Sequence, residues 1–121
     1  MRILVVDDEE DILSSIGTLL SKSGHDVKTT PSGREALGLV RTGKFDLVLL
    51  DVLMPEISGR EVLERIRADP ETRGQKVAML TVVQLSHAGE KIIRKLRPVE
   101  YFQKPIDVDD FLKRVARVLG E

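Results

Sequence analysis

Five polar side chains in this chain could do chemistry together, and each stands directly after a short, mostly apolar run. They are Asp7 and Asp8 after residues 3–6, Asp51 after residues 47–50, Thr81 after residues 77–80 and Lys104 after residues 101–103. Carboxylate oxygens with no histidine or cysteine nearby favour magnesium over zinc. A hydroxyl and an ammonium beside such a metal ion are the groups that a transferring phosphoryl group needs.

The apolar runs are predicted to be strands that bring these side chains to one place. A short apolar run bounded by polar residues is typical of a strand buried on both faces of a parallel sheet. The carboxyl ends of such strands lie along one edge, where α/β sheets bind their ligands. Three carboxylates meeting there would repel, and one would keep its proton unless a cation joined them. We therefore predict a magnesium site at this edge.

Helix signals alternate with the strands along the whole chain. Ser32 and Ser58 each stand three residues before a glutamate, which is capping-box spacing, and Ser86 and Asp107 are predicted to cap the last two helices. The order is β-α repeated five times, which predicts a parallel sheet with helices on both faces. The run 25–30 has one apolar residue and is expected near a sheet edge. The last helix is expected to turn these residues inward: Val108, Phe111, Leu112, Val115 and Leu119.

Composition limits the class of protein. A chain of 121 residues is expected to form one domain, residues 1–121, and 41% apolar residues are enough for a core. Nineteen basic against 20 acidic residues give no reason to expect nucleic-acid binding. There is no cysteine, which excludes a disulfide framework or a thiol nucleophile. No transmembrane or signal segment is recognised, so a cytoplasmic location is expected.

The joint pattern resembles the receiver domain of two-component response regulators. The resemblance covers Arg2 to Leu119 and rests on these residues: Asp7-Asp8 after ILVV, Asp51 after LVLL, Met54-Pro55, Gly59, Thr81 after VAML and Lys104-Pro105. It implies a flavodoxin-like, doubly wound sheet of five parallel strands in the order 2-1-3-4-5, with five helices. That strand order is the one found in chemotaxis receivers, and for this chain it is implied by the resemblance alone.

The resemblance also implies a role for each site residue. Asp51 would accept a phosphoryl group from a sensor histidine kinase or a phosphotransfer protein. Asp8, Asp51 and the backbone carbonyl of Leu53 would bind Mg²⁺ directly, and Asp7 would act through water. Lys104 and Thr81 would contact the phosphoryl oxygens, and Tyr101 would turn inward as the switch aromatic.

The domain would then signal rather than turn over a substrate. It would catalyse only its own phosphorylation and dephosphorylation, and it would pass the signal to an effector through the last two helices and the fifth strand. A homodimer is left open, as is the identity of the kinase. No direct contact with nucleic acid or membrane is expected.

Some residues depart from the family pattern. Val82 stands where a small residue is usual, and it could slow phosphoryl entry or restrain Thr81. Leu53 and Val83 are apolar at positions that flank the path of an attacking water. We therefore predict a long-lived phosphorylated form. Residues 96–99 replace a run of small residues, which makes the fourth helix and its following loop hard to predict.

Two alternatives from other classes remain at this point. A small magnesium-dependent phosphohydrolase also uses an aspartate at a strand end, although its second acid comes two residues later and not next to the first. A degenerate receiver would dock without phosphorylation, for which Val82 is the main support. A flavin-binding domain is disfavoured because acids stand where a phosphate-binding loop is needed. His25 and His87 lack partners at catalytic spacing and are expected to be surface residues.

Overall fold

The computed structural model describes residues 1–81 and 86–121, and these form one open α/β sheet flanked by helices. The strands are β1 (Arg2–Val6), β2 (Asp26–Thr30), β3 (Leu47–Asp51), β4 (Val77–Thr81) and β5 (Glu100–Gln103). The helices are α1 (Glu10–Lys22), α2 (Gly33–Val40), α3 (Gly59–Ala68), α4 (His87–Lys95) and α5 (Val108–Val118). The predicted alternation of strands and helices is confirmed.

All strand pairs are parallel, and the strand order is β2-β1-β3-β4-β5. This is the order that the resemblance implied. The polar run that forms β2 lies at an edge, where one side of a strand needs no partner, so that prediction is also confirmed. The apolar run of β3 lies in the middle, and all five of its residues are buried.

Alternate residues of each strand supply two separate cores. Ile3 and Val5 of β1 face a cluster that includes Phe111 of α5 and Leu20 of α1. The next residues along β1 face the other side, where α2, α3 and Ile93 of α4 pack. Strand side chains alternate between faces, so a central strand covered by helices on both sides must be apolar throughout.

The predicted helix starts are accurate because the caps are local. The side chains of Ser32, Ser58, Ser86 and Asp107 each accept a hydrogen bond from the backbone N–H three residues later. The inward face of α5 was predicted with one error. Val108 is 48% exposed, because residues 108–110 of the first turn are all exposed and the buried face of α5 begins at Phe111.

Some expectations fall outside the described part of the chain or need correction. Val82 and Val83 lie outside the described residues, and so do their predicted effects on phosphoryl entry and on the attacking water. The side chain of His87 is likewise not described. The expectation that His25 is a surface residue holds in part: the residue is partly exposed, but its Nδ1 atom is buried and has no hydrogen-bond partner among the described residues. Of the helices in residues 1–81 and 86–121, none has the length and apolar character that a membrane crossing requires.

Candidate functional site

The site is built where four neighbouring strands end. Asp7 follows β1, Asp51 is the last residue of β3, Thr81 is the last residue of β4, and Lys104 follows β5. Each is buried although each is polar. Parallel strands in register end together, and β3, β4 and β5 are paired up to their last residues. The sheet itself therefore assembles side chains that are far apart in sequence.

Three carboxylates form the acidic part of the site. One oxygen of each of Asp7, Asp8 and Asp51 lies within 4.8 Å of the others. Asp7 and Asp51 are buried, whereas Asp8 is exposed at the rim. A hard cation with oxygen ligands fits this donor set, because it would cancel the repulsion and accept carboxylates together with water.

Lys104 supplies the positive charge of the site. Its Nζ lies 2.5 Å from Asp7 Oδ2 and 3.6 Å from Asp51 Oδ2. Burial lowers the pKa of Lys104, but its hydrogen bond to Asp7 and the charges of Asp51, Asp7 and Glu9 outweigh that effect and raise the pKa overall. The ammonium therefore stays charged at neutral pH and is held against the acids before any ligand arrives.

The carboxyl of Asp51 is poised by its surroundings. Its pKa is raised to about 6, chiefly by burial and next by the charge of Asp7. Lys104 and the backbone N–H of Leu53, which is 3.4 Å from Asp51 Oδ1, act in the opposite direction. Asp51 is thus mostly ionised at neutral pH, but burial makes its charged form less favourable, and a nearby cation would stabilise that form.

The backbone near Asp51 depends on a glycine. The Gly59 N–H donates to the Val52 carbonyl at 2.9 Å, which brings the start of α3 against the end of β3. A Cβ atom on Gly59 would lie 1.9 Å from the carbonyl oxygen of Asp51. Glycine is therefore required here by close backbone approach. The sequence singled out Gly59 for its spacing, and the contact supplies the physical reason.

Leu53 and Tyr101 complete the predicted set. The Leu53 side chain is 53% exposed in the loop after Asp51. Tyr101 is half-buried in β5, and its hydroxyl is already buried with no hydrogen-bond partner among the described residues. Burial, followed by the charges of Glu90 and Asp51, raises the pKa of Tyr101. The expectation that Tyr101 turns inward when Thr81 moves stays a prediction.

Sequence reasoning missed two arginines that organise the surroundings of β5. The Arg114 guanidinium of α5 pairs with Glu100 and lies 4.5 Å from the centre of the Phe102 ring. Arg67 of α3 donates to the loop that precedes β5. Arg67 is four residues after the buried Leu63 and thus shares its helix face, which was the available signal.

Comparisons with known proteins agree with this geometry. A family model described as the response regulator receiver domain matches residues 3–116. The polar-differentiation response regulator DivK of Brucella ovis is 34% identical over 119 residues, which cover 98% of this chain and 96% of DivK. The transcriptional regulatory protein DltR of Streptococcus agalactiae is 34% identical over 116 residues. That match covers 95% of this chain but only 50% of DltR, so the chain spans about half the length of this relative.

Solved structures give the same result for the fold. The chemotaxis protein CheY4 of Vibrio cholerae superposes with a TM-score of 0.87 at 28% identity, over 97% of each chain. A receiver domain of the Pseudomonas aeruginosa sensor histidine kinase PA1611, with a magnesium ion in its active-site cleft, has a TM-score of 0.87 at 23% identity. The family model, the strand order and the acidic cluster agree, and we conclude that the chain belongs to the response regulator receiver domain family.

Proposed function

We propose that this domain receives a phosphoryl group on Asp51, in a magnesium-dependent reaction, from a phosphohistidine of a sensor kinase or phosphotransfer protein. The observation that carries the proposal is the meeting of Asp7, Asp8, Asp51 and Lys104 at one sheet edge. Receiver domains are phosphoacceptor signalling modules of two-component systems, and this chain has that family's fold and its acidic cluster.

The transfer can be written in terms of this chain's own groups. An Asp51 carboxylate oxygen forms a bond to phosphorus while the phosphorus–nitrogen bond of the phosphohistidine breaks, and the imidazole nitrogen takes up a proton. Lys104 leaves Asp7 in part and pairs with the new phosphoryl oxygens. Thr81, at the end of β4, supplies a hydroxyl to another oxygen. Asp8, Asp51 and the Leu53 carbonyl would hold Mg²⁺, with Asp7 acting through water, and the ion would supply the remaining charge neutralisation.

The output follows from the charge added at Asp51. A phosphoryl group carries up to about two negative charges where the carboxylate carried one, which attracts a hydroxyl and a cation and biases the nearby loop and helix. The responding surface would be α4, β5 and α5, and its partner an effector domain or protein. The domain itself would perform no multiple-turnover hydrolysis of phosphate esters. Its place of action would be the cytoplasm, together with the kinase.

The experiment is a phosphorylation assay with the purified chain. Incubation with Mg²⁺ and acetyl phosphate should add one phosphoryl group, detected by intact mass and mapped to Asp51 by peptide analysis. Asp51→Asn should remain unmodified under the same conditions. A phosphoryl group on another residue, or equal modification of Asp51→Asn, would refute the proposed acceptor.

A further inference from the structure

Arg67 is a half-buried cation whose donors are used on backbone carbonyls from two different loops. Its Nε donates to the Leu96 carbonyl at 2.7 Å, and its terminal nitrogens donate to the carbonyls of Arg97, Arg73 and Gln75 at 3.1, 2.9 and 2.7 Å. Residues 96 and 97 follow α4, whereas residues 73 and 75 precede β4. One side chain of α3 thus joins the segments that lead into β4 and β5.

The carbonyls of Leu96 and Arg97 lie at the end of α4. The last carbonyls of a helix lack intrahelical partners and carry the negative end of the helix dipole. Leu96 is the C-cap of α4, and Arg97 follows with a φ of 56°. A guanidinium is a good partner for these groups, because it offers several N–H donors in a fixed plane together with a positive charge.

No carboxylate of the described residues competes for Arg67. None of the ion pairs in residues 1–81 and 86–121 includes it. Burial, followed by the charge of Arg97, lowers its pKa, as expected for a cation that is partly removed from water beside a like charge. Its four hydrogen bonds to carbonyls are therefore what holds it in place, and they hold the two loops in return.

The amino-terminal end of α4 is attached in a different way. There Ser86 forms a local cap, in which its Oγ accepts from the Gly89 N–H at 3.0 Å. Ile93, two residues before the end of the helix, is buried in the core and adds a second attachment at the carboxyl-terminal end. The beginning of α4 also lies towards the carboxyl edge of the sheet, since the helix follows the end of β4 that carries Thr81. Among residues 1–81 and 86–121, the amino-terminal end of α4 is thus held by a local cap, whereas its carboxyl-terminal end is held by a side chain of another helix.

We propose that Arg67 is a positioning residue of the switch, which pins the carboxyl-terminal end of α4 so that phosphorylation moves mainly its amino-terminal end. This inference rests on the proposed function for its trigger, but the attachment itself exists in the resting protein. The helix would pivot about residues 96–97, and the start of β5 would keep its place beside β4. The output surface would then change shape progressively along α4.

Hydrogen exchange measured by mass spectrometry on the whole chain tests this inference. The comparison uses the unmodified protein, Arg67→Met, Arg67→Lys and, as a control from the same helix turn, Arg65→Met, each with and without Mg²⁺ and acetyl phosphate. Arg65 is exposed, and its ion pair among the described residues is with Glu61 at 3.8 Å, so its loss removes a surface contact. Arg67→Lys keeps the charge but cannot reach four carbonyls, and it serves if Arg67→Met does not fold.

In the resting state we expect Arg67→Met to exchange about tenfold faster than the unmodified protein over residues 94–99, because charged hydrogen bonds to the helix end are lost. On phosphorylation, the protein without substitutions should change its hydrogen-exchange rates over residues 86–92 and not over residues 94–99. Arg67→Met and Arg67→Lys should change over both segments. A merely structural arginine would alter the resting rates without altering this phosphorylation-dependent difference.

Equal resting rates over 94–99 in Arg67→Met and the unmodified protein would overturn the inference. A change over both segments on phosphorylation of the protein without substitutions would also overturn it. Intact mass of the same samples reports separately whether Asp51 was modified. Absence of modification would count against the proposed function, while the resting comparison would still decide whether Arg67 holds this end of α4.

Discussion

Asp51 is the residue on which the proposed function depends, and its burial has a cost in stability that can be measured. Its pKa is near 3.8 in the unfolded chain and about 6 in the folded protein. Between these values the folded state binds more protons than the unfolded state, so this group makes stability fall as pH rises. The loss is complete above about pH 6 and amounts to at most about 3 kcal/mol, at about 1.4 kcal/mol per pH unit.

We therefore expect Asp51→Asn to increase the free energy of unfolding at pH 7.5 without Mg²⁺ by about 1–3 kcal/mol. The gain should disappear below about pH 3, where the aspartate is neutral in both states. Urea unfolding followed by circular dichroism across this pH range measures it. Asp8→Asn is the matched control, because Asp8 is exposed and should change little. Equal stability of Asp51→Asn and the protein without substitutions at pH 7.5 would show that burying the Asp51 charge does not destabilise the fold.

We predict that Leu53 also affects the lifetime of the phosphorylated form of Asp51. An apolar, half-exposed side chain after Asp51 offers no hydrogen bond to orient an attacking water. We expect the purified phosphoprotein to persist well beyond seconds and Leu53→Asn to lose phosphate about tenfold faster, since positioned water reacts faster. Release of inorganic phosphate gives the rate.

Val99→Asn, at an exposed apolar residue before β5, is the control and should leave the rate of phosphate release unchanged. A lifetime of seconds in the protein without substitutions would contradict the role of Leu53.

At the scale of elements, the contact between α3 and β3 sets the position of Asp51. Gly59→Ala would place a methyl group on the Asp51 carbonyl, and backbone atoms cannot yield as flexible side chains do. We expect a loss of about 3 kcal/mol or more in stability, together with little phosphorylation of any folded fraction. Gly38→Ala in α2 has open space around its Cβ and should gain about 0.5–1 kcal/mol. Similar stability of the two variants, by thermal unfolding, would contradict the close approach.

The junction of β5 with α4 gives a further prediction. The Tyr101 hydroxyl is buried without a hydrogen-bond partner among the described residues, which is unfavourable in the resting fold. Tyr101→Phe should therefore be as stable as the unmodified protein or more stable by up to about 1 kcal/mol. Chemical denaturation compares the two. A loss of more than about 1 kcal/mol would mean that the hydroxyl has a partner in solution.

At the scale of the whole molecule, the sequence was informative wherever one local signal determined the structure. Apolar runs that end in Asp51 or Thr81 predicted both the strands and the edge at which they meet, because parallel strands leave no choice of edge. Serine and aspartate caps placed the starts of four helices, since each cap needs only a backbone N–H three residues away.

What could not be predicted depends on contacts between distant segments. The 2.5 Å pair of Lys104 with Asp7 joins β5 to β1, which are not neighbours in the sheet. The exposure of Val108 depends on where along α5 the buried face begins. Arg67 donates to the carbonyl of Arg97, 30 residues away. Every residue has a backbone carbonyl, so the sequence does not indicate which one an arginine will bind. Such contacts follow from packing and not from periodicity.

Magnesium dependence of phosphorylation at Asp51 tests the central claim most directly. The measurement is the fraction of chain carrying one phosphoryl group on Asp51 after incubation with acetyl phosphate, in Mg²⁺ and in EDTA. We expect modification with Mg²⁺ and very little in EDTA, because the clustered acids repel the donor unless a cation offsets them. Equal modification with and without the metal ion would contradict the account.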